Sequence, residues 1–265
     1  MKLYSAEPGA NISIVTDAQL RNLLVELSKT GLITHILETG TYVGLGSTNF
    51  IAGIFAVQSP APQMFVTIEA NYFNWQKAKR NLKDFPFVVP LWGLSTSRQE
   101  ALSFMSNDPA LQNHYNFPDI FIDDIKDPFA FYSNEIRGHL GWGTRNPVKK
   151  LRQFLDRDRF YAGEDLLVHW LTRFRSYTPL IVLDSAGGVG YLEFNTVLKH
   201  MRGQPYFLLL DDIRHLKHFR SRRAIHNNDC FEVLGENPEA GWLLVKFEPL
   251  NPEERKTLPF SCACG

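Results

Sequence analysis

The clearest structural signal in this 265-residue chain is the stretch ILETGTYVGLGSTNF, residues 36–50. They begin as a short apolar run, pass through Gly40, Gly44 and Gly46, and continue as a helix-like stretch. Glycines permit a tight turn and a close backbone approach, and the free N–H groups at the start of a helix favour an anionic ligand group. We therefore predict a strand, a glycine turn and a helix that together bind a ligand.

Apolar runs alternate with amphipathic stretches on both sides of this turn, which is typical of a parallel α/β sheet. Asp17, or Thr16 before it, is predicted to cap a first helix that ends at Gly31. The predicted strands are 33–38, 64–69, 85–92, 179–184, 205–212 and a terminal pair within 230–249. The terminal pair is separated by a turn rich in Asn, Pro and Gly, which predicts an antiparallel hairpin.

Residues 107–178 do not continue this alternation. We interpret the chain as a single domain, 1–265, in which 107–178 is an inserted lid or cap between the third and fourth strands. The lid is expected to cover the strand ends and to exclude water. Its aromatic stretches, 127–132 and 140–147, shape a substrate pocket or serve ordinary packing. Within it, 118–124 also has the pattern of a strand and is a rival for the fourth position.

Glu69 ends the second predicted strand, where an acid in such folds accepts hydrogen bonds from ribose hydroxyls. The alternative is plain helix–sheet packing with Glu69 in solvent. The glycines at 40, 44 and 46 do not have the GxGxxG spacing of a dinucleotide-binding turn. Glu38, just before the turn, would repel a phosphate and suits a ligand that carries an ammonium group.

These residues resemble motif I of the class I S-adenosylmethionine-dependent methyltransferases, in the E-x-G-x-x-x-G variant of small-molecule O-methyltransferases. The resemblance covers about 16–106 and 179–249, and it implies a Rossmann-like sheet of seven strands, the seventh antiparallel. It departs from the commoner pattern at Tyr42, where that pattern has a second glycine. It implies that Glu38, Gly40 and Gly44 hold the methionine end, that Glu69 binds the ribose and that 93–95 flank the adenine. The full set of implied cofactor-binding residues is Glu38, Gly40, Thr41, Tyr42, Gly44, Ser47, Glu69, Ala70, Gly93, Leu94, Ser95 and Asp184.

Aspartates end three further predicted strands, at positions 123–124, 184 and 211–212. Strand ends of an open sheet face the ligand crevice, and converging carboxylates suit a hard cation such as Mg²⁺. Metal-dependent O-methyltransferases have a similar layout, which implies Asp184, Asp211 and Asp212 as metal ligands and Asp184 and Asp211 as catalytic. The alternative is that such acids cap helices, as Asp212 would for the basic stretch 214–226.

A general base is not evident after Asp184. His215 and His218 are the nearest candidates because a spacing of three places them on one helical face. We take His215 as the catalytic candidate. The alternative is a solvated basic helix, because arginines and lysines surround both histidines.

Composition excludes several classes of protein. Hydrophobic residues make up 44 %, which rules out wholesale disorder, and 28 basic residues balance 28 acidic ones. That balance disfavours nucleic acid and anionic membranes as partners. Cys230, Cys262 and Cys264 form neither a disulfide framework nor a CxxC zinc motif. With no signal-peptide or membrane-spanning run, we expect a cytoplasmic protein with a small-molecule substrate, and a homodimer stays open.

The resulting hypothesis is an S-adenosylmethionine-dependent methyltransferase that acts on a hydroxyl of a small molecule, assisted by a divalent cation. One alternative is a scaffold protein that binds S-adenosylmethionine without catalysis. The other, disfavoured by the glycine spacing, is a nicotinamide-dependent oxidoreductase.

Overall fold

The computed structural model describes residues 14–117, 120–123, 126–138, 146–185 and 187–249. The strands are β1 (His35–Thr39), β2 (Met64–Glu69), β3 (Val88–Gly93), β4 (Tyr161–Gly163), β5 (Leu180–Leu183), β6 (Tyr206–Leu210), β7 (Phe231–Asn237) and β8 (Trp242–Phe247). They form one sheet in the order β4–β3–β2–β1–β5–β6–β8–β7. Strands β1 to β6 pair in parallel, and β8 is antiparallel to β6 and to β7. The predicted α/β class, with its antiparallel terminal hairpin, is confirmed.

Ten α-helices accompany these strands in the described part of the chain. They are α1 (Ala18–Lys29), α2 (Ser47–Ala56), α3 (Tyr72–Asn81), α4 (Arg98–Asn107), α5 (Pro109–Gln112), α6 (Pro128–Gly138), α7 (Pro147–Phe160), α8 (Leu166–Phe174), α9 (Gly190–His200) and α10 (Phe219–His226). The first begins as predicted, since Asp17 Oδ1 accepts the N–H of Leu20 at 2.9 Å. Among the described residues, no helix has both the length and the apolar character that crossing a bilayer requires.

Alternate residues of the central strands enter two cores, one on each face of the sheet. Leu37 and Ile181 pack with α8 and α9, whereas Ile36 and Leu180 pack with α1 and α2. This double burial explains why β5 (LIVL) is a continuous apolar run and why every residue of β1 (HILET) is buried.

The choice of 179–184 as the fourth strand of the predicted sheet is confirmed, because β5 lies between β1 and β6. Its rival, 118–124, is described only over 120–123. There Phe121 makes a single bridge to His215 outside the sheet. Asp124 lies outside the described residues, as do 141–145, Cys262 and Cys264.

The sheet has eight strands where seven were predicted. The additional strand, β4, pairs Tyr161 with Trp92 at the edge of the sheet. Three residues are too short to show an apolar period, so the sequence does not indicate it. Helix α8 follows β4, and its fully buried Leu167 and Leu171 belong to the same core as Ile181. The last part of 107–178 therefore belongs to the α/β layers and is not a cap.

Candidate functional site

The glycine turn lies between β1 and α2, against the end of β5. Gly40 has φ +92°, and a Cβ there would lie 2.1 Å from the backbone oxygen of Asp184. Only glycine tolerates both the conformation and this approach. Tyr42, which stands where the commoner motif has glycine, has φ +52° and is 66 % exposed. The tyrosine therefore has the left-handed conformation that favours glycine, and it places its side chain in solvent.

Glu38 lies beneath the turn, completely buried. Its Oε2 accepts hydrogen bonds from the hydroxyls of Thr48 and Thr67, both at 2.6 Å. Its Oε1 has no hydrogen-bond partner among the residues that the structure describes, and burial raises the pKa of Glu38 to about 7. Glu38 does not line the cleft described below, so its contacts support the turn rather than reach a ligand.

Glu69 lies at the end of β2 and faces the cleft. Its Oε2 accepts the N–H of Tyr42 at 2.6 Å, and its Oε1 accepts the N–H of Asn71 at 2.7 Å. Burial raises its pKa to about 7 despite these hydrogen bonds. The carboxylate is therefore held by the turn and by the start of α3, and it is not the solvated acid of the alternative interpretation.

A cleft of about 420 Å³ opens along the ends of β1, β2, β3 and β5. It brings together eight of the predicted cofactor-binding residues: Gly40, Tyr42, Glu69, Ala70, Gly93, Leu94, Ser95 and Asp184. Four others, Glu38, Thr41, Gly44 and Ser47, do not line it. Thr41 bonds Thr67 inside the sheet, and Ser47 donates its hydroxyl to Asp184 Oδ2 at 3.0 Å. The cleft suits a nucleoside ligand, since Glu69 presents carboxylate acceptors at its wall.

The cleft also contains residues that the sequence did not indicate. Glu135 and Ile136 reach it from α6, and Arg98 and Ala101 reach it from α4. Burial, helped by the charge of Asp123, raises the pKa of Glu135. No motif or period marks Glu135, because its position depends on how α6 packs over the strand ends. The α6 part of the predicted lid thus lies at the cleft.

The three predicted metal ligands do converge. Asp184, Asp211 and Asp212 each offer a carboxylate oxygen within 4.8 Å of the other two. Asp212 does not cap α10, whose N-cap residue is His218. Instead, Asp212 has φ +57° and turns its carboxylate toward the other two.

Lys217 lies inside this acid cluster. Its Nζ is 3.2 Å from Asp184 Oδ1 and 2.9 Å from Asp212 Oδ2. Burial alone would lower the pKa of Lys217, but the three neighbouring carboxylates raise it. Burial, together with the charge of Asp184, raises the pKa of Asp211 well above its ordinary value. The cluster as it stands does not fit a divalent cation, because an ammonium group already bonds two of the three ligands.

His215 and His218 do not share a helical face. The predicted helix 214–226 begins only at Phe219, because Phe121 donates its N–H to the carbonyl of Arg214 and accepts the N–H of Leu216. That bridge holds the preceding residues out of a helix.

Both nitrogens of His215 have partners. Nδ1 accepts the N–H of Lys217, and Nε2 lies 3.1 Å from Asp123 Oδ2 and 3.3 Å from the hydroxyl of Tyr132. His218 is fully buried with Nε2 3.1 Å from the carbonyl oxygen of Leu183, and burial lowers its pKa. Neither histidine lines the cleft. The prediction of His215 as a base thus finds no support in its position.

No protein-family model matches this chain, and no curated protein matches it. Several solved structures are similar to it. Cofactor-bound Rv0187 from MTB has 13 % identity over 88 % of this chain and 82 % of that one, with a TM-score of 0.43. The O-methyltransferase from Bacillus cereus in complex with SAH has 13 % identity, coverages of 92 % and 94 %, and a TM-score of 0.44. The N-methyltransferase NodS from Bradyrhizobium japonicum WM9 has 13 % identity, coverages of 87 % and 94 %, and a TM-score of 0.36. These identities and TM-scores are too low to transfer an activity, so a functional assignment has to rest on the geometry of the cleft.

Proposed function

We propose that this chain is an S-adenosylmethionine-dependent methyltransferase that acts on a hydroxyl group of a small molecule. One observation carries the proposal: a single cleft joins eight of the predicted cofactor residues, which include Glu69 and Asp184, to a further carboxylate, Glu135. Its volume of about 420 Å³ is in the range of small-molecule sites.

The glycine turn and Glu69 form the part of the cleft that would bind the cofactor. S-adenosylmethionine supplies, when bound, a methyl group on a sulfonium that is a good leaving group. Glu69 would accept hydrogen bonds from the ribose hydroxyls, since each of its oxygens keeps a lone pair beyond its backbone donor. Residues 93–95 would flank the adenine at the end of β3.

The acceptor end needs a group that removes the hydroxyl proton, and we assign this role to Glu135. A base works best when its pKa lies near the operating pH, and burial moves the pKa of Glu135 in that direction. Ile136 and Val189 give the same end of the cleft an apolar wall that excludes water. We derive no step through a divalent cation, because Lys217 bonds two of the three carboxylates that would hold it.

A second candidate is a protein that binds the cofactor without transferring its methyl group. The contacts of His215 favour it, because both ring nitrogens are engaged within the protein and no histidine of the described ranges lines the cleft.

Calorimetric titration with S-adenosylmethionine, its demethylated product and NAD tests the cofactor assignment. We expect the first two to bind and NAD not to bind. Binding of NAD alone would overturn the proposal.

Transfer of a tritiated methyl group to a panel of phenols, catechols, alcohols and amines then tests the reaction. Glu135→Gln should lower turnover by about a hundredfold while cofactor affinity stays unchanged. The control is Glu100→Gln, an exposed glutamate in the first turn of α4. Cofactor binding with no methylation of any acceptor would favour the second candidate, and methylation of amines alone would remove the hydroxyl assignment.

A further inference from the structure

We propose that Lys217 is the resident counter-cation of the cluster formed by Asp184, Asp211 and Asp212, and that this cluster therefore takes no divalent cation. In this role Lys217 is a positioning residue, which holds the Asp184 carboxylate at the wall of the cleft. The inference does not depend on the identity of the acceptor.

The first support is the geometry around the ammonium group. The Lys217 side chain is 5 % exposed, and its Nζ is within hydrogen-bond distance of Asp184 Oδ1 and Asp212 Oδ2. Asp211 completes the cluster. A buried ammonium with two carboxylate acceptors is fully compensated, whereas three clustered carboxylates without a cation would repel one another.

The second support is that the Lys217 side chain is fixed in place from its base. A Cβ on Gly190, the first residue of α9, would lie 2.5 Å from Lys217 Cβ and 2.9 Å from its backbone oxygen. The absence of a side chain at Gly190 therefore makes room for Lys217. Its backbone N–H donates to His215 Nδ1, which fixes the same residue from the other side. These contacts fix the backbone and the Cβ of Lys217 beside the start of α9, so its side chain extends toward the cluster from one position.

The third support is the conflict between the two cations. A divalent ion would need the same oxygens at about 2.0–2.6 Å, which places it next to an ammonium group of like charge. Its binding would require the displacement of a buried, packed lysine. The site is thus closed to the ion by charge and by space.

The consequence for the cleft concerns Asp184. Lys217 bonds its Oδ1, and the hydroxyl of Ser47 donates to its Oδ2. Both carboxylate oxygens of Asp184 therefore have donors within the protein, so the carboxylate has one orientation at the wall of the cleft. The lysine thereby supplies the ordering that a metal would otherwise give.

Titration with Mn²⁺, followed by the electron paramagnetic resonance signal of the free ion, tests the inference directly. We expect no saturable binding to the wild-type protein at the cluster. Lys217→Met keeps much of the apolar stem and removes the charge, so it should show saturable Mn²⁺ binding, with a dissociation constant at least about tenfold below the highest Mn²⁺ concentration at which the wild type shows none. Lys217→Arg keeps the charge and should show no gain. The gain in Lys217→Met should disappear when Asp212→Asn is added.

A folded Lys217→Met that gains no affinity for Mn²⁺ would overturn the inference. If Lys217→Met does not fold, the wild-type titration decides, with Asp212→Asn as the comparison, since Asp212 is 58 % exposed and its substitution leaves the core intact. Wild-type binding that is lost in Asp212→Asn overturns the inference. No binding, or binding that survives Asp212→Asn and so lies elsewhere on the chain, supports it.

Discussion

In the proposed cofactor site, Glu69 is the residue whose substitution we expect to weaken binding most. Its two oxygens accept the N–H groups of Tyr42 and Asn71, and a glutamine would place an amide NH₂ against one of these donors. We expect Glu69→Gln to weaken binding of the demethylated cofactor by about 1.5–3 kcal/mol, the range for hydrogen bonds to a charged group. Calorimetry measures the loss, with Glu100→Gln as the control. Equal affinities for wild type and variant would contradict the assignment.

Glu38 gives the fold a defined dependence on pH. Its pKa is raised from 4.5 to about 7 by burial, so the folded chain holds this proton more tightly than the unfolded chain does. The contribution to the free energy of unfolding is therefore full below pH 4.5 and is lost as the pH rises through about 7.

Glu38→Gln imitates the protonated acid and should remove this dependence. Relative to the wild type, the variant should gain about 2.5 kcal/mol in unfolding free energy between about pH 5 and about pH 8. Urea unfolding of both proteins at the two pH values measures the difference. Glu69 titrates in both proteins and cancels. A gap between the proteins that is the same at both pH values would show that Glu38 titrates normally.

The glycine turn between β1 and α2 depends on one close backbone contact, between Gly40 and Asp184. Gly40→Ala places a Cβ 2.1 Å from the backbone oxygen of Asp184 at a positive φ, so it forces β1 and β5 apart. We expect a loss of about 2 kcal/mol or more in stability together with weaker cofactor binding. Gly53→Ala is the matched control, because Gly53 lies inside α2 and a Cβ there would have no described atom within 4 Å. It should lower stability by less than about 1 kcal/mol or raise it, because alanine favours a helix more than glycine does. Similar losses in both variants would show that the close approach is not the cause.

The sequence predicted the elements whose residues are buried on both faces. β1, β5 and the turn between β1 and α2 follow from apolar runs and glycines, which are local properties. The start of α10 could not be predicted, because helical periodicity continues through 214–218 while Phe121 takes the backbone groups of that segment. β4 depends on pairing with β3, which no three-residue pattern reveals.

The candidate site also contains some residues that could be predicted from the sequence and others that could not. The acids at strand ends could be predicted, because parallel strands bring their carboxyl ends to one edge. Lys217 could not, since its contact with Asp184 and Asp212 depends on the turns that precede α10. Glu135 reaches the cleft only through the packing of α6, and nothing local to its sequence marks that arrangement.

A buried ion pair connects two distant parts of the chain, the N-cap residue of α5 and helix α10. The guanidinium of Arg220 donates to both oxygens of Asp108, at 2.7 and 2.6 Å, and the Asp108 side chain is fully buried. Arg220→Ala leaves that carboxylate buried without its partner, so we expect a loss of about 3–5 kcal/mol in the free energy of unfolding. Chemical denaturation measures it. Arg223→Ala, an exposed arginine on the same helix, should change stability by less than about 1 kcal/mol. Equal effects of the two variants would contradict the structural role of the pair.

The two neighbours of β1 come from distant parts of the chain. β2 follows it closely, but Ile36 meets Leu180 only after the whole segment that carries β4, α6 and α8. During synthesis β1 therefore has one unpaired edge until β5 leaves the ribosome. Closing so long a loop is entropically unfavourable, so we expect the β1–β5 pairing to be a late step in folding. Because the cleft takes residues from both sides of that pairing, an incomplete chain has no cleft, and a ligand that binds there stabilises finished molecules only.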